Sequence, residues 1–367
     1  MKKLRVGIVY GGRSGEHEIS VTSAGSIFKH IDRQRYEPVA IRIEKDGRWT
    51  LPDQPPQALT AAEVINEAKT RLRADGSARS AEKDLGGGEP AMLGALNLDV
   101  VFPVLHGPYG EDGTIQGLLE LANMAYVGAG VLASAAGMDK AAMKMLFAAR
   151  ALPVGVWRTF VRADWERDRA SVLKDLEPLG YPMFVKPANL GSSVGISKVK
   201  ARADLVPAID MALDYDRKVV VEAAVPNARE IECSVLGNDD PQASRPGEII
   251  PSREFYDYEA KYIDDDSKTV IPAELPADVV KKIQQLSIGA FRAVDCSGLA
   301  RVDFLLSRDT GEIVLNEINT MPGFTSISMY SKMWEASGVS YADLVHRLIQ
   351  LGLERHAQKQ KLKTSFV

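Results

Sequence analysis

The chain has 367 residues, of which 45% are hydrophobic and 26% are charged, and its formal net charge is -4. This length is sufficient for roughly two or three domains with packed cores, whereas the slight acidic excess argues against a dedicated nucleic-acid-binding protein, which would need a basic face. No apolar run is long enough to cross a membrane, so no membrane association is expected.

The N-terminal part of the chain predicts a βαβ unit. Residues 6–10 have an apolar strand pattern, a helical pattern starts at about Ser20, and residues 39–43 predict a second strand. The glycines after the first strand do not follow the G-x-G-x-x-G order of a dinucleotide-binding loop, so a Rossmann oxidoreductase is not indicated. Residues 51–90 are polar and alanine-rich, and they predict a helix between loops with no assigned chemistry.

Another apolar strand, at residues 100–105, leads directly into a polar loop that begins at His106. Open α/β sheets usually place ligand sites at the carboxyl ends of their strands, so this loop is a candidate binding site. A helix with one apolar face follows, and we expect the first domain to end near residues 128–130.

The next candidate site is a strand that carries Lys186 and leads into the glycine-serine loop 191–195. Bare backbone amides and a lysine suit phosphate oxygens, although such a loop is also typical of a simple hairpin turn. The Gly-Lys-Ser/Thr of a P-loop is absent. Lys140, at the start of a helical pattern, is either a second phosphate-binding cation or an ordinary solvated lysine. We expect a small antiparallel sheet here, with an amphipathic helix at residues 205–213.

The C-terminal part predicts a strand at residues 231–236, a helix around residues 280–291, and a hairpin of strands 299–306 and 313–318. Because strand side chains alternate, Arg301 shares one face with Asp303, and Glu317 shares one face with Asn319. Oxygen ligands at the edge of a nucleotide site are typical of Mg²⁺. The alternative is a solvated polar strand face.

The two cysteines, Cys233 and Cys296, lie in apolar contexts and predict buried free thiols rather than a disulfide or a metal site. No signal peptide is visible at the N-terminus, so a cytoplasmic location is expected. The chain after about Arg355 is basic and polar and predicts a frayed tail.

Together these features resemble the D-alanine–D-alanine ligase family of ATP-grasp enzymes over nearly the whole chain. The motifs that carry the resemblance occur in the family's order, at residues 11–20, 106–113 and 316–323, followed by Ser326 and Ser328. The resemblance implies an α/β fold, α+β in part, with an N-terminal open parallel sheet and two ATP-grasp domains that grip the nucleotide. The implied limits are 1–130, 131–224 and 225–356, with a tail at 357–367.

The resemblance implies the following reaction. ATP phosphorylates the carboxylate of one D-alanine, and the amine of a second attacks this D-alanyl phosphate. The products are D-alanyl-D-alanine, a peptidoglycan precursor, together with ADP and phosphate. The implied cofactors are ATP and two Mg²⁺ ions, with Mn²⁺ as a substitute, and the implied assembly is a homodimer.

The resemblance also assigns roles to individual residues. The metal ligands would be Asp303, Glu317 and Asn319. Positive charge and amides for the phosphates would come from Lys140, Lys186, Ser193 and Lys261, and Glu222 and Glu230 would take the adenine and ribose unless they are ordinary surface glutamates. The first D-alanine would be held by Glu16 and His106. The oxyanion would be stabilised by Arg301 and the Gly323 amide, and the second carboxylate by Ser328. A hydrogen-bonded chain would join Glu16, Ser192 and Tyr262.

Three competing functions remain open. A D-alanine–D-lactate ligase would differ mainly in the loop 255–262, where Tyr262 stands in place of a histidine, although this aromatic loop is also compatible with simple surface packing. Another ATP-grasp carboxylate–amine ligase would lack the motifs of Glu16 and His106. A non-catalytic nucleotide-binding scaffold would have lost a metal ligand or a phosphate-binding lysine, and none is missing.

Overall fold

The computed structural model describes residues 2–58, 83–84, 94–250 and 268–363. These residues form a mixed α/β structure with three separate sheets. The strands are β1 Leu4–Gly11, β2 Tyr36–Ile43, β3 Trp49–Leu51, β4 Lys83–Asp84, β5 Val100–Pro103, β6 Trp157–Val161, β7 Met183–Pro187, β8 Ser197–Val199, β9 Lys218–Ala223, β10 Ala228–Gly237, β11 Gln242–Ala243, β12 Gly247–Ile250, β13 Lys268–Val270, β14 Gly298–Ser307 and β15 Ile313–Asn319. The helices are α1 His17–His30, α2 Thr114–Leu121, α3 Val131–Met138, α4 Lys140–Ala149, α5 Arg162–Arg167, α6 Arg169–Leu176, α7 Arg202–Tyr215, α8 Ala277–Ala293, α9 Met329–Glu335 and α10 Tyr341–Lys359, with a 3₁₀ helix at Glu177–Leu179.

The first sheet has the strand order β4-β3-β2-β1-β5. The βαβ prediction is confirmed, because β1 pairs in parallel with β2 and with β5. The predicted open parallel sheet comprises β2, β1 and β5, and β3 and β4 add two antiparallel strands at one edge. A short connection at residues 44–48 reverses the chain between β2 and β3, and such turns join antiparallel neighbours. Helix α1 begins at His17, earlier than the helical pattern around Ser20 predicts.

The second sheet, β6-β9-β7-β8, is antiparallel throughout, as the sequence predicts. Its core is closed by the predicted amphipathic helix α7, which buries Leu205, Ile209 and Leu213 at helical spacing. The glycine-serine loop connects β7 to β8 and so lies at one end of this sheet.

The third sheet has the order β13-β12-β10-β14-β15, with β11 paired to β10, and all its pairs are antiparallel. The predicted hairpin is present as β14 and β15. A register shift after Asp303 leaves Asn316 as an extra residue in β15, which is a β-bulge. Helix α8 covers one face of the sheet and buries Ile283, Leu286 and Phe291.

The C-terminal helices pack against the first sheet. One apolar core joins Val100 and Phe102 of β5 to Phe324, Trp334 and Leu348. Helix α10 continues to Lys359, so the prediction of a frayed tail after Arg355 is wrong for these residues. The reason is tertiary, because the Arg355 guanidinium donates to the Gly128 and Tyr126 carbonyls and Lys359 pairs with Glu120.

Two further expectations concern the cysteines and membrane-spanning helices. Cys233 and Cys296 are both buried free thiols, as predicted. Within the described ranges, none of the helices has the length and apolarity needed to cross a membrane.

Candidate active site

The hairpin of β14 and β15 presents a row of polar side chains on one face. Arg301 lies directly opposite Asn319, and Asp303 lies directly opposite Glu317. All four residues are partly buried, whereas the alternating Val302 and Ile318 point into the core. The predicted shared face is therefore present, and it is not the freely solvated strand face of the alternative hypothesis.

Arg301 and Asp303 form a bidentate ion pair. The Arg301 Nε and Nη2 atoms each donate to an Asp303 oxygen at 2.7 Å, and Nε also lies 3.2 Å from Glu232 Oε2. Burial alone would lower the pKa of Arg301, but the charges of Asp303 and Glu232 raise it above its ordinary value. Arg301 is thus held as a cation between two carboxylates. Glu232 was not singled out in the sequence.

The glycine-serine loop has an unusual backbone. Ser192 and Ser193 have φ angles of 52° and 58°, in the left-handed region that non-glycine residues rarely adopt. Such strain persists only where the surroundings enforce it, and it is frequent at ligand-binding sites. Successive amides in left-handed turns form concave anion-binding surfaces, so the loop suits phosphate oxygens.

A buried ion triad includes Lys186, which lies on the strand that leads into this loop. Glu222 Oε2 is 3.0 Å from the Lys186 ammonium, and its Oε1 is 3.2 Å from that of Lys144. Although burial opposes the charged carboxylate, the two lysines lower the pKa of Glu222 to about 2. The pKa of Lys186 is raised, because the attraction of Glu222, Glu317 and Glu230 outweighs its burial. The hypothesis that Glu222 is an ordinary surface glutamate is therefore wrong.

Lys144 was missed by the sequence analysis. It is only 2% exposed and also donates to the Asn316 carbonyl at 3.3 Å, which belongs to the bulge residue of β15. The available signal was its position four residues after Lys140 on one helix, because residues at that spacing share a face. The two lysines of α4 thus point toward the same site.

Lys140 is buried rather than solvated. Its ammonium donates to the Leu190 carbonyl at 2.6 Å, and its backbone N–H donates to the Ala188 carbonyl at 2.9 Å. Both acceptors lie immediately before the glycine-serine loop. Lys140 therefore fastens this loop to the start of α4 and places a cation at its base.

Glu16 joins the first sheet to the glycine-serine loop. Its carboxylate accepts a hydrogen bond from the Ser192 hydroxyl. A Cβ on Gly107 would lie 2.5 Å from Glu16 Oε2, and a Cβ on Gly191 would lie 3.0 Å from it. Two glycines therefore let the backbone approach this carboxylate closely, and the predicted link between Glu16 and Ser192 is present.

His106 is fully surrounded by polar partners at the end of the same sheet. Its Nδ1 lies 3.0 Å from the Met321 carbonyl and 3.8 Å from Glu111 Oε1, while its Nε2 lies 3.2 Å from the Ser23 hydroxyl. Burial would lower the pKa of His106, but the carboxylates of Glu111 and Glu16 raise it. His106 therefore connects the end of the first sheet to the segment that carries Gly323.

Gly323 and Ser328 lie together in the loop before α9. A Cβ on Gly323 would be 3.5 Å from Ser328 Oγ, which accepts from the Thr325 N–H at 3.0 Å. The loop is bound to α1, because the Phe324 N–H donates to Ser23 Oγ at 3.2 Å and the Ser326 N–H donates to Ser26 Oγ at 3.1 Å. The two segments predicted to hold different substrates are thus neighbours.

The predicted lid residues, Lys261 and Tyr262, and the loop 255–262 lie outside the described residues. Within the described part of the chain, no group of three or more His, Cys, Asp or Glu side chains is arranged for a metal ion. The predicted metal trio contains two carboxylates and one amide, and Asn319 Oδ1 accepts from the Met321 N–H at 3.0 Å. An amide oxygen has a second lone pair, so Asn319 keeps the capacity to bind a cation.

Comparisons with known proteins point to one family. A family model described as D-ala D-ala ligase N-terminus matches residues 5–129, and one described as D-ala D-ala ligase C-terminus matches residues 146–350. A D-alanine–D-alanine ligase of Heliobacterium modesticaldum is 51% identical over 365 residues, covering 99% of this chain and 98% of the relative. A ligase of the same name from Natranaerobius thermophilus is 48% identical over 374 residues, covering 100% and 99%.

Solved structures give the same result. The D-alanine-D-alanine ligase of Coxiella burnetii matches with a TM-score of 0.80 and 38% identity, covering 98% of this chain and 97% of that one. The VanG D-Ala:D-Ser ligase of Enterococcus faecalis also has a TM-score of 0.80, with 34% identity and coverages of 96% and 100%.

Proposed function

The chain belongs to the D-alanine–D-alanine ligase family of ATP-grasp enzymes, and we propose that it joins two D-alanine molecules through a D-alanyl phosphate, with release of ADP and phosphate. The observation that carries this proposal is the hydrogen bond between Glu16 and Ser192. An amino acid held at Glu16 would lie beside the anion-binding loop, so its carboxylate would be next to the transferring phosphoryl group. Proximity of this kind is a main source of rate enhancement.

The nucleotide would be bound from three sides. Lys140, Lys186 and the amides of Ser192 and Ser193 offer positive charge to the phosphates, and Lys261 would add more from its loop. The Glu222 carboxylate is charged and buried at the end of β9. We assign Glu222 to the adenine and Glu230, on β10, which follows β9 in the chain, to the ribose.

Two divalent metal ions, Mg²⁺ with Mn²⁺ as a substitute, would be held by Asp303, Glu317 and Asn319. The all-oxygen donor set fits these hard cations, and the carboxylates of this face attract positive charge. When bound, the ions would neutralise the charge of the β- and γ-phosphates.

The amino-acid subsites follow from the remaining side chains. The Glu16 carboxylate would bind the ammonium of the first D-alanine, with His106 beside it. Arg301 and the Gly323 N–H would donate to the oxyanion that develops when the second amine attacks. Ser328 would bind the carboxylate of that second molecule through its hydroxyl.

The identity of the acceptor is the finer question. The D-lactate alternative is not favoured, because the full-length relatives are named D-alanine–D-alanine ligases. D-serine is the second candidate, since the VanG D-Ala:D-Ser ligase matches with a TM-score of 0.80. We propose that Tyr262, placed where a histidine would favour an anionic hydroxy acid, contributes to selection of the amine.

The test measures phosphate release from ATP and Mg²⁺ with D-alanine, and compares D-serine, D-lactate and L-alanine as the acceptor. D-alanine should give the highest kcat/KM, and Glu317→Gln should lower turnover by orders of magnitude because it removes charge from the metal site. The matched control is Glu312→Gln, at an exposed position of the same hairpin, which should retain wild-type turnover. Near-normal turnover of Glu317→Gln at saturating Mg²⁺ would contradict the metal assignment.

Three further proposals concern the whole molecule. We propose that domain limits lie near residues 130, 224 and 356, and that the protein forms a homodimer, which light scattering in solution can test. We also propose that it acts in the cytoplasm, which the two free thiols support because a reducing compartment preserves them.

A further inference from the structure

Three acidic residues lie side by side across the third sheet. Glu232 on β10 is directly opposite Asp303 on β14, and Asp303 is directly opposite Glu317 on β15. Glu232 is only 7% exposed. Like charges placed directly opposite each other destabilise a sheet, so a buried carboxylate at this position needs a reason.

Arg301 supplies the compensating charge and lies between two of these carboxylates. Its Nε donates to Asp303 Oδ1 at 2.7 Å and lies 3.2 Å from Glu232 Oε2, while its Nη2 donates to Asp303 Oδ2 at 2.7 Å. Asp303 therefore has the shorter, bidentate contact. Glu232 is a second anchor for the same guanidinium.

The two proposed roles of these residues compete for the same atoms. Arg301 engages both oxygens of Asp303, and a metal ion ligated by Asp303 would take at least one of them. Arg301 would then lose part of its anchor at the moment when it has to face the substrate. A buried guanidinium without a paired carboxylate is costly.

We propose that Glu232 is a positioning residue that holds Arg301 when Asp303 binds the metal ion. This inference rests on the proposed metal site and on the proposed role of Arg301. Glu232 keeps Arg301 paired through Nε, which frees Asp303 for the cation and leaves the other guanidinium donors available to the substrate. Without the Glu232 charge, Arg301 would hold Asp303 more firmly and would compete with the metal.

The experiment measures the Mg²⁺ concentration that gives half-maximal ADP binding, by calorimetry at fixed ADP, for the wild type and Glu232→Gln. We expect the variant to need roughly tenfold more Mg²⁺, the effect of one charged hydrogen bond. The matched control is Glu248→Gln. Glu248 is an equally buried partner of Arg229, at 2.8 and 2.6 Å, but it shares the other face of the sheet with Ile231, and its loss should leave the Mg²⁺ requirement unchanged.

A double-mutant cycle separates this role from a direct action on the metal ion. In an Arg301→Met background the guanidinium no longer competes for Asp303, so Glu232→Gln should change the Mg²⁺ requirement by less than about twofold. If Glu232→Gln raises the Mg²⁺ requirement equally in both backgrounds, Glu232 acts on the metal ion directly, and the proposal is overturned. An unchanged requirement in both backgrounds would overturn it as well.

Activity gives an independent readout. Glu232→Gln should lower kcat and leave the KM for each D-alanine near the wild-type value, because a misplaced Arg301 affects charge that develops only in the transition state. If Glu232→Gln does not fold, Glu232→Asp tests the same contact with a shorter side chain, and Arg301→Lys replaces Arg301→Met in the same way. Absence of any Mg²⁺ effect on ADP binding by the wild type would instead refute the proposed metal site.

Discussion

Replacement of Glu222 by glutamine tests the buried ion triad. The carboxylate holds Lys186 at 3.0 Å and Lys144 at 3.2 Å, and all three side chains are buried. The change would leave two buried ammonium groups facing a neutral amide. Lowering the pKa of Glu222 from its ordinary value of 4.5 to about 2 corresponds to about 3 kcal/mol, and breaking one partner out of a buried pair typically costs about 3–5 kcal/mol.

The assay is urea unfolding at pH 7, followed by tryptophan fluorescence. Trp157 lies directly opposite Glu222 on the neighbouring strand, so it reports on this sheet. We expect the free energy of unfolding to fall by about 3 kcal/mol in Glu222→Gln. The matched control is Glu177→Gln, whose partner Arg202 is 76% exposed, and this variant should not differ measurably from the wild type.

A second substitution and the pH dependence of stability test the ion triad further. Lys144→Met added to Glu222→Gln should restore part of the lost stability, because it removes one of the two repelling charges. The folded-state pKa of Glu222 is lowered, so its stabilising contribution is present above pH 4.5 and is lost as the pH falls toward about 2. A double variant that is less stable than Glu222→Gln, or a difference from wild type that grows between pH 4.5 and 3, would refute the triad as described.

Other predictions concern the amino-acid subsites and the thiols. Glu16→Gln should raise the KM of the first D-alanine and Ser328→Ala that of the second, because each change removes one charge-assisted hydrogen bond, which contributes about 1.5 to 3 kcal/mol to binding. Steady-state kinetics in which both variants raise the same KM would contradict the subsite assignment. Gly107→Ala should cost at least about 1–2 kcal/mol in urea unfolding, because φ is 71° and the new Cβ would meet Glu16. Burial raises the pKa of the Cys233 thiol to about 11 and that of Cys296 to about 12, so neither should react with a thiol reagent at pH 8 until the protein is unfolded.

The sequence predicted those parts of the fold whose signal is local. The hairpin of β14 and β15 follows from alternation around a turn, and the shared face of Arg301 with Asp303 follows from the same period of two residues. The order of motifs then predicted most of the residues of the candidate site. The antiparallel edge of the first sheet was missed, because β3 and β4 are short and far apart in the chain.

The ion-pair partners of the buried charged side chains were predicted less well than the positions of these side chains on helices and strands. Lys144 and Glu232 looked like ordinary polar residues, because the carboxylate or guanidinium that each one meets comes from another element. Likewise, alternation places Arg301 beside Asp303 but does not say that both oxygens of the aspartate are engaged. These features depend on tertiary packing, and a single sequence carries no local signal for them.

Buried charge links the candidate site to the placement of the three sheets. Lys144 of α4 bridges Glu222 on the second sheet and the Asn316 carbonyl on the third, while His106 at the end of the first sheet contacts the Met321 carbonyl after the third. Glu222 and His106, which are proposed to bind ATP and D-alanine, therefore also take part in the contacts that connect the three sheets. Loss of activity at Glu222 would consequently combine altered binding with altered packing, whereas Glu317→Gln retains the shape of its side chain and tests the chemistry more directly.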